Sequence, residues 1–160
     1  MSQYRRKNSL RPQGYDYSQS GAYFVTIAAY KRLYIFGQIN DGTMTLSKLG
    51  TVITDCWKSI PTHNLCVELD AYVVMPNHMH GILVLQDSET HKVSLIHIIN
   101  TFKGAVTRIA RKSQLDIDLE HPVWQRNFHD RIIRNEKEYN YLAQYVHTNP
   151  QRWNEDVFNE

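Results

Sequence analysis

Two histidines one residue apart, His78 and His80 in "YVVMPNHMHGILVL", are the residues of this sequence best placed to do chemistry. In an extended strand, residues two apart project from the same face, so both imidazoles point one way and Met79 the other. A buried polar group without a partner costs free energy, and a divalent cation would serve a same-face imidazole pair. Two imidazoles are half of a metal site, and the rest of the chain must supply the remainder.

The last amphipathic segment, "NEKEYNYLAQYVHTNP", carries Tyr145 and Asn149 four residues apart. On a helix that spacing is one turn, so a phenol and an amide oxygen share a side, next to the apolar stripe of Leu142 and Val146. If this helix packs beside the histidine strand, the Asn149 carbonyl oxygen can join His78 and His80 around a cation and leave positions for a substrate oxygen. Tyr145 would then stand one turn away as a nucleophile. Without the histidine pair, Tyr145 would read as an ordinary interfacial tyrosine. The remaining histidines, His63, His91, His97, His121, His129 and His147, lack a same-face partner at ligand spacing and read as surface or capped residues.

The elements that must position these groups follow from pattern. "AYFVTIAAY" is a β-branched and aromatic strand, and "YIFGQINDGTMTLS" is a small hairpin turning at Asp41-Gly42. Ser47 caps a helix with Leu49, Val52, Ile53, Cys56, Trp57 and Ile60 on one face, ending at Pro61. "CVELDAYVVMP" and "HMHGILVLQ" form an antiparallel pair joined at Pro76-Asn77, which puts the histidines at a strand end near the surface. A second amphipathic helix follows, with Leu95, Ile98, Ile99, Phe102, Val106 and Ile109 inward. "PVWQRNFHDRIIRN" is a short strand and turn in which Trp124 and Phe128 fill core. The tyrosine helix closes the series at 136–150, because Pro150 restricts Asn149. This order predicts an α+β fold, ferredoxin-like in outline: an antiparallel sheet with helices packed on one face.

The 160 residues, 42% of them apolar, suit a single domain over 1–160. The longest apolar runs are too short for a membrane span and the first residues lack a signal-peptide stretch, so a cytoplasmic protein is expected. Cys56 and Cys66 lie outside any paired metal spacing and read as reduced core thiols. The net charge of +2 is modest but unevenly spread. A basic arm at 1–20 carries Arg5, Arg6, Lys7 and Arg11, and the second long helix carries Lys103, Arg108, Arg111 and Lys112. Both clusters can meet phosphates, although basic arms and helix faces are also often merely solvated.

Three stretches together resemble the single-tyrosine transposases of the HUH superfamily, which include the REP-associated tyrosine transposases. They are "RRKNSLRPQGYDYSQSGAYFVTI", "LDAYVVMPNHMHGILVL" with its "HMH", and "VWQRNFHDRIIRNEKEYNYLAQYVHTNP". The resemblance implies a ferredoxin-like palm, a Mg²⁺ or Mn²⁺ ion on His78 and His80 with Asn149 as third ligand, and Tyr145 as the nucleophile. It implies cleavage and rejoining of hairpin-bearing single-stranded DNA through a 5′-phosphotyrosine, without ATP. Arg131 and Arg134 of "FHDRIIRN" would position DNA or the tyrosine helix, and Arg5, Arg6, Lys7, Lys103, Arg108 and Arg111 are candidate phosphate contacts. The resemblance leaves two arrangements open, a dimer in which each tyrosine helix serves its partner's histidines, as in insertion-sequence members, and a chain that acts alone, as for REP-associated ones; a homodimer is expected. Because some members carry a further tail beyond the "YVHTNP" element, contacts made there are expected to be missing. The rival readings are a noncatalytic hairpin-binding regulator and a replication-initiator or relaxase-type nickase.

Overall fold

The computed structural model describes residues 20–90, 92–115 and 121–159, so Arg5, Arg6 and Lys7 lie outside the described residues. Strand β1 (Gly21–Ala28) leads to a hairpin, β2 (Gly37–Asn40) and β3 (Thr43–Leu46), and then to helices α1 (Lys48–Lys58) and α2 (Ile60–His63). Strands β4 (Val67–Met75) and β5 (His78–Leu85), helix α3 (Leu95–Lys112), strand β6 (His129–Ile133) and helix α4 (Glu136–Thr148) complete the order. The last helix runs into a 3₁₀ segment, Asn149–Glu155.

The main sheet has the order β4-β5-β1-β6 with every neighbour antiparallel. With β2 and β3 set aside as a separate two-stranded sheet, this is the split βαβ arrangement of ferredoxin-like folds. The hairpin turns where expected, with Asp41 and Gly42 both at positive φ, 51° and 76°, as a tight two-residue turn requires. Ser47 caps α1 by accepting from the Gly50 N–H at 3.0 Å, and Ser94 caps α3 by accepting from the His97 N–H at 3.1 Å.

Alternation along the strands sorts residues to two faces. Tyr23, Val25 and Ile27 of β1 and Met79, Leu83 and Leu85 of β5 join Ile53, Trp57, Ile99, Phe102 and Val106 of α1 and α3 in the larger core. Phe24 and Ile82 face the other way and meet Leu142 and Val146 of α4. The helices are therefore divided between the faces, whereas the sequence pattern had placed them together. The reason lies in α4's short apolar stripe, which covers only the patch that the even-numbered residues of β5 leave open.

A register shift in β4 between Leu69 and Tyr72 adjusts this division. Before it, Val67 and Leu69 point to the larger core; after it, Tyr72 and Val74 do, while Ala71 and Val73 turn to α4. One extra residue thus reverses the phase of the strand, as a bulge does. Cys56 and Cys66 are buried thiols, as the sequence suggested. No helix among the described residues is long and apolar enough to cross a membrane.

Candidate active site

His78 and His80 lie on the α4 face of β5, and Tyr145 of α4 packs against His80 and Phe24. The imidazole centroids are 4.7 Å apart, and the Tyr145 ring sits edge-on to His80 at 5.4 Å. Residues of one chain therefore bring together the three side-chain types that the sequence selected, and Asn149 follows at the end of α4. Glu138 seats α4 on the sheet: one of its carboxylate oxygens accepts the Arg134 N–H at 2.9 Å and the other pairs with Arg131 at 2.5 Å. Asn135 caps the helix by accepting from the Glu138 N–H at 2.8 Å. Arg131 is thus engaged in placing the tyrosine helix, one of the two roles its segment suggested.

The histidines begin a strand, as expected, yet they are buried rather than near the surface, at 0% and 3% exposure. Residues beyond Pro150 cover them. Phe158 stacks on the His78 ring at 4.1 Å, Trp153 lies 6.2 Å from it, and the Asn77 amide donates to the Phe158 carbonyl at 2.8 Å. Tyr34 donates to Asn159 at 2.9 Å and pins the end of this turn. The residues after Pro150, to which the sequence assigned no role, are therefore part of the site's wall.

Hydrogen bonds decide which nitrogens are available. Asn77 Nδ2 donates to carbonyls of Phe158 and Arg32, so its Oδ1 is the atom facing His78 Nδ1, at 2.9 Å. An amide oxygen only accepts, hence the His78 proton sits on Nδ1 and Nε2 carries a bare lone pair. Thr26 Oγ1 lies 2.8 Å from His80 Nδ1, placed there because Thr26 and His80 are partners in the β1–β5 register. Among the described residues, His78 Nε2, His80 Nε2 and Asn149 Oδ1 are buried with no hydrogen-bond partner. Three buried polar atoms left unsatisfied at one site are costly, and they are the same three atoms that would ligate a cation once His80 carries its proton on Nδ1 towards Thr26. The residues therefore fit a divalent ion. Among the described residues no three His, Cys, Asp or Glu side chains form such a site by themselves, so the amide oxygen is needed.

Burial sets the electrostatics. It drives the His80 imidazole down to about 3, and it holds His78 well below its usual range, helped by His80 and by the Arg32 charge. Both rings are then neutral, the form that binds metals. Burial also pushes the half-buried Tyr145 phenol up, as does the Asp156 carboxylate, while the Asn149 amide pulls the other way. Tyr139, on the same helix, is pushed up to about 12 by burial and by its hydrogen bond to Asp70.

The basic candidates gather elsewhere. Lys103, Arg108 and Arg111 line a cavity of about 910 Å³ together with Arg126, Trp124 and Phe128. Lys103 is held there by donating to the Gln125 and Asn127 carbonyls, at 3.0 Å each. Trp124 and Phe128 are buried, as a packing role requires. The loop at Gln125–Phe128 also walls a second cavity of about 460 Å³, shared with Thr26, Arg32 and Phe158 beside the histidines. Arg134 lines neither; it borders a shallow pocket near the start of α4.

Sequence reasoning missed Asn77, Thr26, Glu138 and Asp156. Asn77 adjoins His78 and was visible as a neighbour, and Glu138 acts on Arg131, Arg134 and Asn135 just before it, so its place three residues after the capping Asn135 was a readable helix-start signal. The role of Thr26 depends on strand register, and that of Asp156 on the chain folding back after Pro150.

The model of the family described as "Transposase IS200 like" matches residues 20–149. An uncharacterised protein of Haemophilus influenzae is 34% identical over 168 residues, covering 94% of this chain and 91% of its own length. The REP-associated tyrosine transposase of Escherichia coli K12 is 29% identical over 83 residues, 52% of this chain and 44% of its own length. A solved REP-associated tyrosine transposase bound to a REP hairpin superposes with a TM-score of 0.64 at 21% identity, covering 96% of this chain and 74% of that one, which shows a shared fold. On the family match, which spans both histidines, the tyrosine helix and Asn149, the chain belongs to the IS200-like transposase family.

Proposed function

We propose that this transposase cleaves and rejoins hairpin-bearing single-stranded DNA through a 5′-phosphotyrosine on Tyr145, with Mg²⁺ or Mn²⁺ held by His78, His80 and Asn149. The observation that carries the reading is the set of three buried, unpartnered polar atoms, His78 Nε2, His80 Nε2 and Asn149 Oδ1, beside the half-buried phenol of the site. A divalent ion bound there would offset the negative charge that builds on the scissile phosphate.

The chain's own residues do the rest. Asn77 and Thr26 hold the imidazoles with Nε2 exposed to the site, and Glu138 with Arg131 fixes α4 so that Tyr145 meets the phosphate at a set angle. The phenolic oxygen forms a bond to phosphorus as the bond from phosphorus to the 3′ oxygen breaks. The phenol's proton leaves and the departing 3′ oxygen takes one up, giving a free 3′-hydroxyl. That hydroxyl can later attack the tyrosyl ester and regenerate the phenol, so strand joining needs no external energy. Since the free phenol is pushed above its usual value, the cleavage rate should climb with pH across the neutral range.

The hairpin is proposed to lie in the cavity bearing Lys103, Arg108, Arg111 and Arg126, while its unpaired flank passes the Gln125–Phe128 loop towards Thr26. Phosphate contacts of this kind weaken with salt. The constellation closes within one chain, which supports action in cis; exchange of α4 between two copies of a homodimer is the second reading.

The test is incubation of a labelled hairpin oligonucleotide with Mn²⁺, followed by denaturing electrophoresis. A covalent adduct is expected from the native chain and from Tyr139→Phe, and none from Tyr145→Phe. An adduct that survives Tyr145→Phe would sink the mechanism, and tight binding without any adduct would favour a noncatalytic regulator. Mixing Tyr145→Phe with His80→Leu protein restores no activity if the chain works in cis.

A further inference from the structure

Asp156 lies beyond the part of the chain that matches the family, in the turn that covers His78. Its side chain is 1% exposed. One carboxylate oxygen, Oδ1, accepts the Phe158 N–H at 2.9 Å. The other, Oδ2, accepts a long hydrogen bond of 3.3 Å from Asn149 Nδ2 and lies 3.7 Å from His78 Nε2. Because Asn77 keeps the His78 proton on Nδ1, that second approach sets a carboxylate oxygen against a bare lone pair. Two acceptors facing each other in a dry site repel, and a buried carboxylate with so little compensation is expensive. A cation between them turns both costs into attraction. Neighbouring ligands about 2.1 Å from one octahedral ion stand about 3 Å apart. His78, His80 and Asp156 do not form a closed metal group as they stand, and from 3.7 Å the Oδ2 atom must close on Nε2 by about 0.7 Å, a shift that a cation between them would draw in. The Asn149 bond adds to this: with Nδ2 turned to Asp156, Oδ1 is left as the free acceptor.

We infer that Asp156 is a fourth protein ligand of the divalent cation, joining His78, His80 and Asn149 through Oδ2. This inference rests on the metal reading proposed above. It gives the site one formal negative charge, which a pair of imidazoles and an amide lack, and that charge favours a hard divalent ion. It also ties the turn at Trp153–Phe158 to the ion, so that binding should order the chain there.

The test uses the full chain without DNA, titrated with Mn²⁺ while the electron paramagnetic resonance signal of the free ion is followed. Asp156→Asn keeps the shape and the ability to accept from Asn149 but removes the charge. It should weaken Mn²⁺ binding about tenfold or more, a loss in the range expected when a site's supporting groups are removed. In EDTA the same variant should melt no lower than the native chain, since it relieves an uncompensated carboxylate. Hydrogen exchange at residues 153–158 should slow on Mn²⁺ addition in the native chain and not in Asp156→Asn. Asn159→Ala removes the bonds to Tyr34 and to the Trp153 carbonyl that pin the end of the turn, and touches no proposed ligand, so it should keep most of the affinity. If Asp156→Asn binds Mn²⁺ within twofold of the native chain while His78→Ala does not bind, Asp156 is no ligand and the three-residue site stands. An equal loss in Asn159→Ala and Asp156→Asn would also overturn the proposal, by assigning the effect to the turn. Failure of the native chain to show any His80-dependent Mn²⁺ binding would sink the metal reading itself.

Discussion

The two faces of the main sheet obey different rules. On the face covered by α1 and α3, side chains interlock with little polar content: Trp57 meets Phe102 edge-on at 5.3 Å, Phe36 meets Trp124 at 5.2 Å, and Gly81 leaves the room that the Trp57 ring occupies. The single polar loose end there is the Trp57 indole N–H, buried without a partner among the described residues. On the face covered by α4, a small apolar patch of Phe24, Ile82, Leu142 and Val146 borders His78, His80, Thr26 and Asn149, three of which carry orphaned acceptors. One face leaves a single indole N–H unpaired in an otherwise apolar core; the other leaves three polar atoms unsatisfied around one point, as sites kept for function do. Stability and activity should therefore separate by face, although the residues concerned alternate along the same strand.

The largest effect expected is on the packed face. Trp57→Ala removes a fully buried side chain that touches Tyr72, Phe102 and the backbone of β5 at Gly81, and should cost about 3–5 kcal/mol. The check is the midpoint of urea unfolding at constant slope. The fraction that remains folded should still form the covalent adduct with Mn²⁺. If it did not, the two faces would not be independent.

The converse on the α4 face is His80→Leu, similar in bulk and devoid of nitrogens. Adduct formation should fall by about 10²–10³, the loss seen when one group stabilising transition-state charge is removed. Stability in EDTA should change by less than about 1 kcal/mol, because an orphaned buried acceptor goes with the ring, although Thr26 loses its partner. A collapse of the fold in this variant would make the imidazole a structural element and break the comparison.

Gly81 tests the boundary, since it sits directly after His80 yet faces the packed side. A methyl group there would overlap the Trp57 ring, so Gly81→Ala should cost about 1–3 kcal/mol through overpacking. Adduct formation, measured below the melting temperature, should drop far less than in His80→Leu.

The sequence made one side of this division easier to read than the other. Period-2 alternation placed His78 and His80 on a common face, and helical spacing paired Tyr145 with Asn149, because both signals are local. The hairpin at Asp41-Gly42 and the Ser47 cap were legible for the same reason. What escaped was set by contacts distant along the chain. Thr26 reaches His80 only through the β1–β5 register, the phase change in β4 depends on a bulge, and Asp156 meets His78 only because the chain folds back after Pro150. The division of helices between faces escaped too, since an amphipathic stripe tells that a helix is covered but not from which side of the sheet. The burial of the histidines followed from that same turn of chain, which no periodicity announces.

The smallest effect expected is also the most selective for the α4 face, and it appears in the acid dependence of stability. His80 titrates at about 3 in the folded chain, for reasons of burial, against about 6.5 when unfolded. Between those values the unfolded chain binds a proton that the folded chain refuses, so stability is fully present above pH 6.5 and declines as pH falls towards 3. His78, also held low by burial, acts in the same direction. Thermal melting in EDTA should therefore drop from pH 7 to pH 5 in the native chain, and drop less in His80→Leu, which has lost one of the two titrations. Mn²⁺ should deepen the acid loss in the native chain, since protons and the ion compete for the same Nε2 lone pairs. Trp57→Ala, although far less stable throughout, should keep the native pH profile, because the packed face contributes no titrating imidazole; an altered profile in that variant would mean that the two faces are coupled through β5.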